Sequence, residues 1–172
     1  MLLSDNEIEA KELAEKLNDL NKERQELTKE GLEEALEIIE KNNMAKDKVL
    51  VVYLEDVHES IAGIIAGRVR EKYNLPTIIL TKAHDGAKGS GRSIEEYNMF
   101  EELLKCKDLL GKFGGHPMAA GMSIPKENID EFRRRLNNVT TLTEEDVIPK
   151  VSIDMGLTLS QINYELIDEI SL

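Results

Sequence analysis

Two short, predominantly apolar runs most constrain the fold of this chain. Residues 49–54 (VLVVYL) and 76–81 (PTIILT) each have the length of a strand, and continuous apolar strands are typical of sheets covered on both faces. Between them, residues 60–73 repeat apolar side chains at helical spacing. Within this segment Gly63 and Gly67 lie four residues apart, which would let the helix pack closely on a sheet. A strand, a helix and a strand in this order predict a right-handed parallel crossover.

The segments that follow extend this unit. Residues 87–93 (AKGSGRS) predict a strand or loop of small residues, and residues 100–110 predict a helix. Residues 118–124 predict a short strand, and residues 125–142 hold a last helix. We therefore predict the α/β class, with a mixed β-sheet flanked by helices.

A long charged helix precedes this unit. Ser4 and Glu7 form a candidate capping box, and two asparagines at 42–43 are a plausible stop. Leucines recur every seven residues at 13, 20 and 27, and Gly31 interrupts the pattern. Residues 4–42 therefore predict one long helix or two in tandem, with a thin apolar stripe. Such a helix is typical of a connecting arm, and it could equally fold back onto its own domain.

The chain changes character again after Thr140. Residues 151–155 predict a strand, and Ser160 could cap a short helix reaching residue 170. A strand and a helix cannot form a core alone, so we expect a truncated C-terminal strand-helix appendage. The expected parts are a connecting helical arm (1–44), an α/β domain (45–142) and a linker with the start of a further domain (143–172).

Charge is distributed unevenly along the chain. The formal net charge is −12, but residues 1–40 carry −8 and residues 144–172 carry −6, which leaves residues 41–143 at +2. The centre can therefore hold a local positive site, which permits a nucleic-acid ligand.

No apolar run of membrane-spanning length and no signal-peptide pattern is visible, and the single cysteine, Cys106, fits a reducing compartment. We expect a cytoplasmic protein without a membrane partner, in which Cys106 is a buried hydrophobe.

One candidate site is the run Gly89, Ser90, Gly91, Arg92 and Ser93. Glycines allow a ligand to approach the backbone, and an arginine with neighbouring hydroxyls suits a phosphate. Alone, the segment fits an ordinary turn as well.

A second candidate site is centred on His116. Gly114 and Gly115 precede it and would expose its imidazole, while small residues at 119–121 would let another surface come close. A turn with a surface histidine fits the same pattern.

His58 precedes the 60–73 helix, where it could help hold an anion or simply cap the helix. No Walker loop, Cys-x-x-Cys pair, His-Glu-x-x-His motif or tight aspartate cluster is present.

Three segments taken in order resemble one family. Residues 58–68 (HESIAGIIAGR), 89–93 (GSGRS) and 113–121 (FGGHPMAAG) are similar to the RecJ exonucleases of the DHH phosphoesterase superfamily. The similarity is to the DHH-associated domain and covers about residues 45–140. The arm resembles the long helix that joins the two catalytic halves of that family. The tail resembles the entry into its oligonucleotide-binding barrel. Ser60 departs from the pattern, since glycine is expected there in many relatives.

The resemblance implies a function and a division of labour. It implies the substrate-binding part of a 5′-to-3′ single-stranded-DNA exonuclease in DNA repair and recombination. It implies no cofactor in this chain, with Mn²⁺ or Mg²⁺ in the intact enzyme held by an absent N-terminal DHH domain. His116 would be the catalytic contact, and the phosphate-binding residues would be Gly89, Ser90, Gly91, Arg92, Ser93, Gly114, Gly115 and His58. The chain alone would then be unable to cleave DNA.

Other functions remain open at this point. A phosphoesterase for very short RNA or cyclic dinucleotides shares a Gly-Gly-His motif. A non-catalytic partner-binding module would explain the acidic helix at residues 4–42. The apolar stripe of that helix also makes a homodimer of this chain plausible.

Overall fold

A five-stranded mixed sheet organises the centre of the chain. The computed structural model describes residues 4–170. The strands run in the order β1-β2-β3-β5-β4, with β1 and β2 parallel and every other pair antiparallel. Their bounds are β1 (Leu50–Leu54), β2 (Thr77–Ala83), β3 (Gly86–Arg92), β4 (Phe113–His116) and β5 (Ala119–Ile124). The predicted α/β class with a mixed sheet is confirmed.

Helices cover both faces of this sheet. These helices are α1 (Glu7–Lys41) and α2 (Glu59–Tyr73) on one side and α3 (Met99–Leu104) and α4 (Ile129–Val139) on the other. A further helix, α5 (Tyr164–Ile170), has no buried residue. One core lies between the sheet and the helices α1 and α2, and it includes Leu50, Val52 and Ile79. The other core lies between the opposite face and the helices α3 and α4, and it includes Ile78, Leu80 and Phe132. We call these two sides the α2 face and the α4 face.

The arm is one continuous helix that packs only in its last third. Asn6 caps it by accepting hydrogen bonds from the amides of Ile8 and Glu9, so the predicted capping box at Ser4 is two residues too early. The C-cap at Asn42 is confirmed. Gly31 is buried, and a β-carbon there would stand 2.7 Å from Ile65 of α2. The glycine that interrupts the heptad pattern is thus the point where α1 crosses α2.

Four predictions about individual elements were wrong. Residues 113–116 form strand β4 rather than a turn, and α3 ends at Leu104 rather than near residue 110. Residues 151–155 are not a strand, because no strand within residues 4–170 pairs with them. The helix after them begins at Tyr164. The side chain that accepts a hydrogen bond from its first turn is Asn163 rather than Ser160, and the donor is the amide of Leu166.

The side chain of Asn137 links helix α4 to the backbone directly before strand β1. The Asn137 carboxamide oxygen accepts from the amides of Lys48 and Val49, and its nitrogen donates to the Val49 carbonyl. These bonds satisfy backbone groups at the start of β1. Within residues 4–170, no helix is both long enough and apolar enough to cross a membrane.

Candidate functional site

Strand register places Arg92 and His116 on the same face of the sheet. Ala119 of β5 is paired with Arg92 of β3 on one side and with His116 of β4 on the other. Directly opposed residues in antiparallel strands point to the same face, so the three form one row on the α2 face. With strands about 4.8 Å apart, the α-carbons of Arg92 and His116 lie about 10 Å from each other. The two predicted segments are therefore brought together.

The Arg92 guanidinium lies in a niche beside helix α2. Its Nη2 atom stands 2.6 Å from the point where a Gly63 side chain would begin, and the Ser90 hydroxyl stands 3.3 Å from the same point. Nη1 donates to the Gly91 carbonyl at 2.8 Å. Within residues 4–170, no carboxylate forms an ion pair with this half-buried cation. A positive group without a balancing anion, next to a hydroxyl, is suited to an anionic ligand.

A two-residue hairpin turn holds His116. The carbonyls of Pro117 and Met118 accept hydrogen bonds from the amides of Met99 and Ser93, which ties the turn to α3 and to the end of β3. The Met118 amide donates to Nδ1 of His116 at 3.3 Å. Since Nδ1 accepts, the neutral ring carries its proton on Nε2. The side chain is exposed, so Nε2 is the nitrogen available to a ligand.

The surface between these residues is flat. Gly114 and Gly121 are directly opposed on the α2 face, both are exposed, and nothing stands within 4 Å of a β-carbon built at Gly114. Together with Ala119 they form a bare surface that we call the platform. Helix α2 covers β2 and β3 but leaves the platform open. A ligand or another domain can therefore approach the backbone closely.

A groove continues from Ser90 toward the start of α2. It has a volume of about 370 Å³, and its wall includes His58, Glu59, Ser60 and Lys88. Lys88 pairs with Glu59 across it at 2.7 Å. Alternation along β3 puts Lys88, Ser90 and Arg92 on one face. The sequence prediction missed Lys88, although this alternation could have found it.

Three of the predicted glycines belong to the packing of the opposite face. A β-carbon at Gly89 would stand 2.5 Å from Leu80, and one at Gly91 would stand 3.1 Å from Met99. A β-carbon at Gly115 would stand 2.6 Å from the α-carbon of Ala120. Gly89 and Gly91 also lie inside the ladder between β2 and β5, where backbone amides are engaged by neighbouring strands.

Two other predicted residues have internal partners. The Ser93 hydroxyl is buried and donates to the Tyr97 carbonyl at 2.6 Å. His58 is the N-cap of α2, where Nδ1 accepts from the Ser60 amide. His58 still lines the groove, whereas the Ser93 hydroxyl is turned away from it. Gly67 also differs from expectation, because nothing lies within 4 Å of its β-carbon position and it does not pack on the sheet.

A metal would find few ligands here. Within residues 4–170, no group of three or more histidine, cysteine, aspartate or glutamate side chains could hold a metal ion. The donor set of the described residues therefore does not fit a resident metal centre. The groups that the site offers are an arginine, a histidine and hydroxyls, which bind anions.

Comparison with known proteins shows the family. Residues 46–141 match the model of the DHHA1 domain. The chain is 38% identical to the single-stranded-DNA-specific exonuclease RecJ of Bacillus subtilis, over all of this chain and 22% of that protein. The relative is thus several times longer than this chain.

Solved structures agree with this match. The structure of RecJ from Thermus thermophilus in complex with Mg²⁺ aligns with a TM-score of 0.70 and 29% identity, over 80% of this chain and 21% of that one. A structure of exonuclease RecJ bound to manganese aligns with a TM-score of 0.73 and 28% identity, over 85% of this chain and 36% of that one. The chain belongs to the DHHA1 domain family.

Proposed function

We propose that this chain is the substrate-binding part of a RecJ-like exonuclease, which degrades single-stranded DNA from the 5′ end in DNA repair and recombination. The names and metal ions of its relatives support an exonuclease. The anion-binding character of the site supports a role in holding the strand. The platform, Arg92, Ser90 and His116 form the surface that the substrate contacts.

The observation that carries this proposal is that the Arg92 guanidinium has no carboxylate partner among the described residues. It converges with the Ser90 hydroxyl on the space beside Gly63, and no carboxylate within the described residues neutralises it. A guanidinium presents a planar fork of donors that matches two phosphate oxygens, and the hydroxyl adds a third donor. This pair holds one phosphate of the strand, while Gly89, Gly91 and Ser93 keep β3 in the position that presents it.

His116 is the second contact. Its Nε2 proton can be donated to a phosphate oxygen, and the hairpin fixes the ring in the same row as Arg92. Two contacts from residues whose α-carbons lie about 10 Å apart orient a strand across the platform, which Gly114 keeps flat. The role of His116 is thus to position the strand near the reacting phosphate.

Metal chemistry is assigned elsewhere in the intact protein. The solved relatives contain Mg²⁺ or Mn²⁺, but the donor set of the described residues does not fit such ions. An N-terminal DHH domain would supply the metal site and would meet this chain across the platform. The chain itself then binds DNA but does not cleave it.

Binding can be tested by titrating the ¹⁵N-labelled chain with a 5′-phosphorylated single-stranded oligonucleotide at low salt. We expect amide shifts at residues 89–93 and 113–121, and we expect Arg92→Ala to abolish them. Arg134→Ala is the matched control, because Arg134 is exposed on α4 and pairs with Glu131. Equal binding by both variants would refute the proposal.

Cleavage is tested separately. The purified chain with Mn²⁺ should release no nucleotides from a labelled single strand, and mixing with a separately produced DHH domain should restore release. Nuclease activity of the chain alone that is lost in His116→Ala would show that this chain holds the complete catalytic centre.

A further inference from the structure

Strand β3 presents a second cation, Lys88, in addition to Arg92, which together with Ser90 is proposed to hold the first phosphate. Lys88, Ser90 and Arg92 alternate along the strand and face the same side. Alternate residues lie about 7 Å apart along a strand, and successive phosphates of an extended single strand are a similar distance apart. The distance along the strand from Ser90 to Lys88 is therefore close to the distance between one phosphate and the next.

The groove beside Lys88 is also suited to an anion. It lies between Lys88 and the first turn of α2, where the positive end of the helix dipole favours negative charge. At present the Glu59 carboxylate provides that negative charge at 2.7 Å from Lys88. Both side chains are about half exposed, so the pair is open to exchange with solvent ions.

We propose that Lys88 is the contact for the second phosphate of the strand, and that Glu59 is an internal anion which that phosphate must displace. This inference rests on the proposed function and adds a determinant of substrate length. A ligand with one phosphate binds at Arg92 and leaves the ion pair of Lys88 and Glu59 intact. A ligand with two successive phosphates gains Lys88 but must overcome repulsion from Glu59. The site thus favours a continuous strand over a mononucleotide.

Two probes separate this contact from the first one. Thymidine 5′-monophosphate carries one phosphate, and the 5′-phosphorylated dinucleotide pTpT carries two. Dissociation constants of the full chain for both would be measured by NMR titration. Lys88→Met should weaken binding of pTpT about fivefold, the size of one partly exposed ion pair, and leave the mononucleotide unchanged. It should also reduce the salt dependence of pTpT binding by about 0.7 in the log–log slope.

Glu59→Gln should act in the opposite direction. It should tighten pTpT binding about fivefold and leave the mononucleotide unchanged, and the gain should disappear in the double variant with Lys88→Met. Glu101→Gln is the matched control, since Glu101 is an exposed first-turn carboxylate of α3, which packs on the opposite face. Lys107→Met controls for the loss of one positive charge.

The outcomes are distinguishable. Equal effects of Lys88→Met on both probes, or no effect of Glu59→Gln on pTpT, would overturn the role of Lys88 while Arg92 binding stands. Unchanged binding of both probes in Arg92→Ala would refute the proposed function itself.

Discussion

The guanidinium of Arg92 occupies the space that a side chain at residue 63 would fill. A β-carbon at Gly63 would stand 2.6 Å from Nη2 of Arg92, and that atom is the far end of a flexible side chain. Gly63→Ala should therefore move the guanidinium away from Ser90 without disturbing the core. We expect at least a fivefold loss of affinity for a 5′-phosphorylated oligonucleotide, measured by NMR titration.

Gly67 provides the control for this change. It lies one helical turn further along α2, and nothing stands within 4 Å of its β-carbon position. Gly67→Ala should leave affinity for the isolated oligonucleotide unchanged. It should raise the free energy of unfolding by up to about 1 kcal/mol, because alanine is the better helix former. Similar affinities for the two alanine variants would show that the niche beside Arg92 does not control binding.

Gly114 and Gly115 are adjacent but face opposite sides of β4. A β-carbon at Gly115 meets the backbone of Ala120 at 2.6 Å, and backbone cannot move aside cheaply. Gly115→Ala should lower the free energy of unfolding by about 1–3 kcal/mol, measured by urea denaturation.

Gly114→Ala should instead leave stability nearly unchanged and weaken oligonucleotide binding, because its methyl group rises from the platform. A large stability loss in Gly114→Ala, or none in Gly115→Ala, would contradict the assignment of faces.

Local sequence patterns predicted the helices and strands that are encoded by the hydrophobic pattern of their own residues. The crossover from β1 through α2 to β2 follows from apolar strands around an amphipathic helix. Strand β4 could not be predicted in this way, because its sequence FGGH contains two glycines and has low strand propensity. It is a strand because it pairs with β5, and pairing between segments is not visible in local composition.

Prediction of the candidate site from the sequence was limited for the same reason. Arg92 and His116 could be selected by residue type and by resemblance, but their proximity depends on the register of β3, β5 and β4. Alternation indicates which residues share a face, but it does not indicate which face the helices cover. Gly89 and Gly91 were therefore grouped with Arg92, although their β-carbon positions point into the core on the α4 face.

Asn137 should be among the most sensitive polar residues of the domain. Its side chain makes three hydrogen bonds to the backbone of Lys48 and Val49, where β1 begins. Asn137→Ala leaves these groups without partners, so we expect a loss of about 1–3 kcal/mol in the free energy of unfolding. Asn138→Ala, at the exposed neighbouring position, should change it by less than about 0.5 kcal/mol. Equal denaturation midpoints for the two variants would show that water replaces the Asn137 contacts.

Cys106 should make the stability of the domain fall at high pH. The thiol is fully buried, and burial raises its pKa from an ordinary value near 9 to about 11. Because the folded pKa lies above the unfolded one, the full stability is present below pH about 8.5 and declines as the pH rises toward 11. The native thiol should also react slowly with iodoacetamide at pH 8, since only the thiolate reacts.

Cys106→Ala isolates this contribution from the titration of other groups. Urea denaturation of both proteins between pH 8 and pH 11 should show a steeper decline for the wild type. Labelling of the wild type should accelerate across the unfolding transition, because the exposed thiol regains its ordinary pKa. Parallel pH profiles for the two proteins, together with fast labelling of the native state, would mean that Cys106 is accessible to solvent in the folded chain.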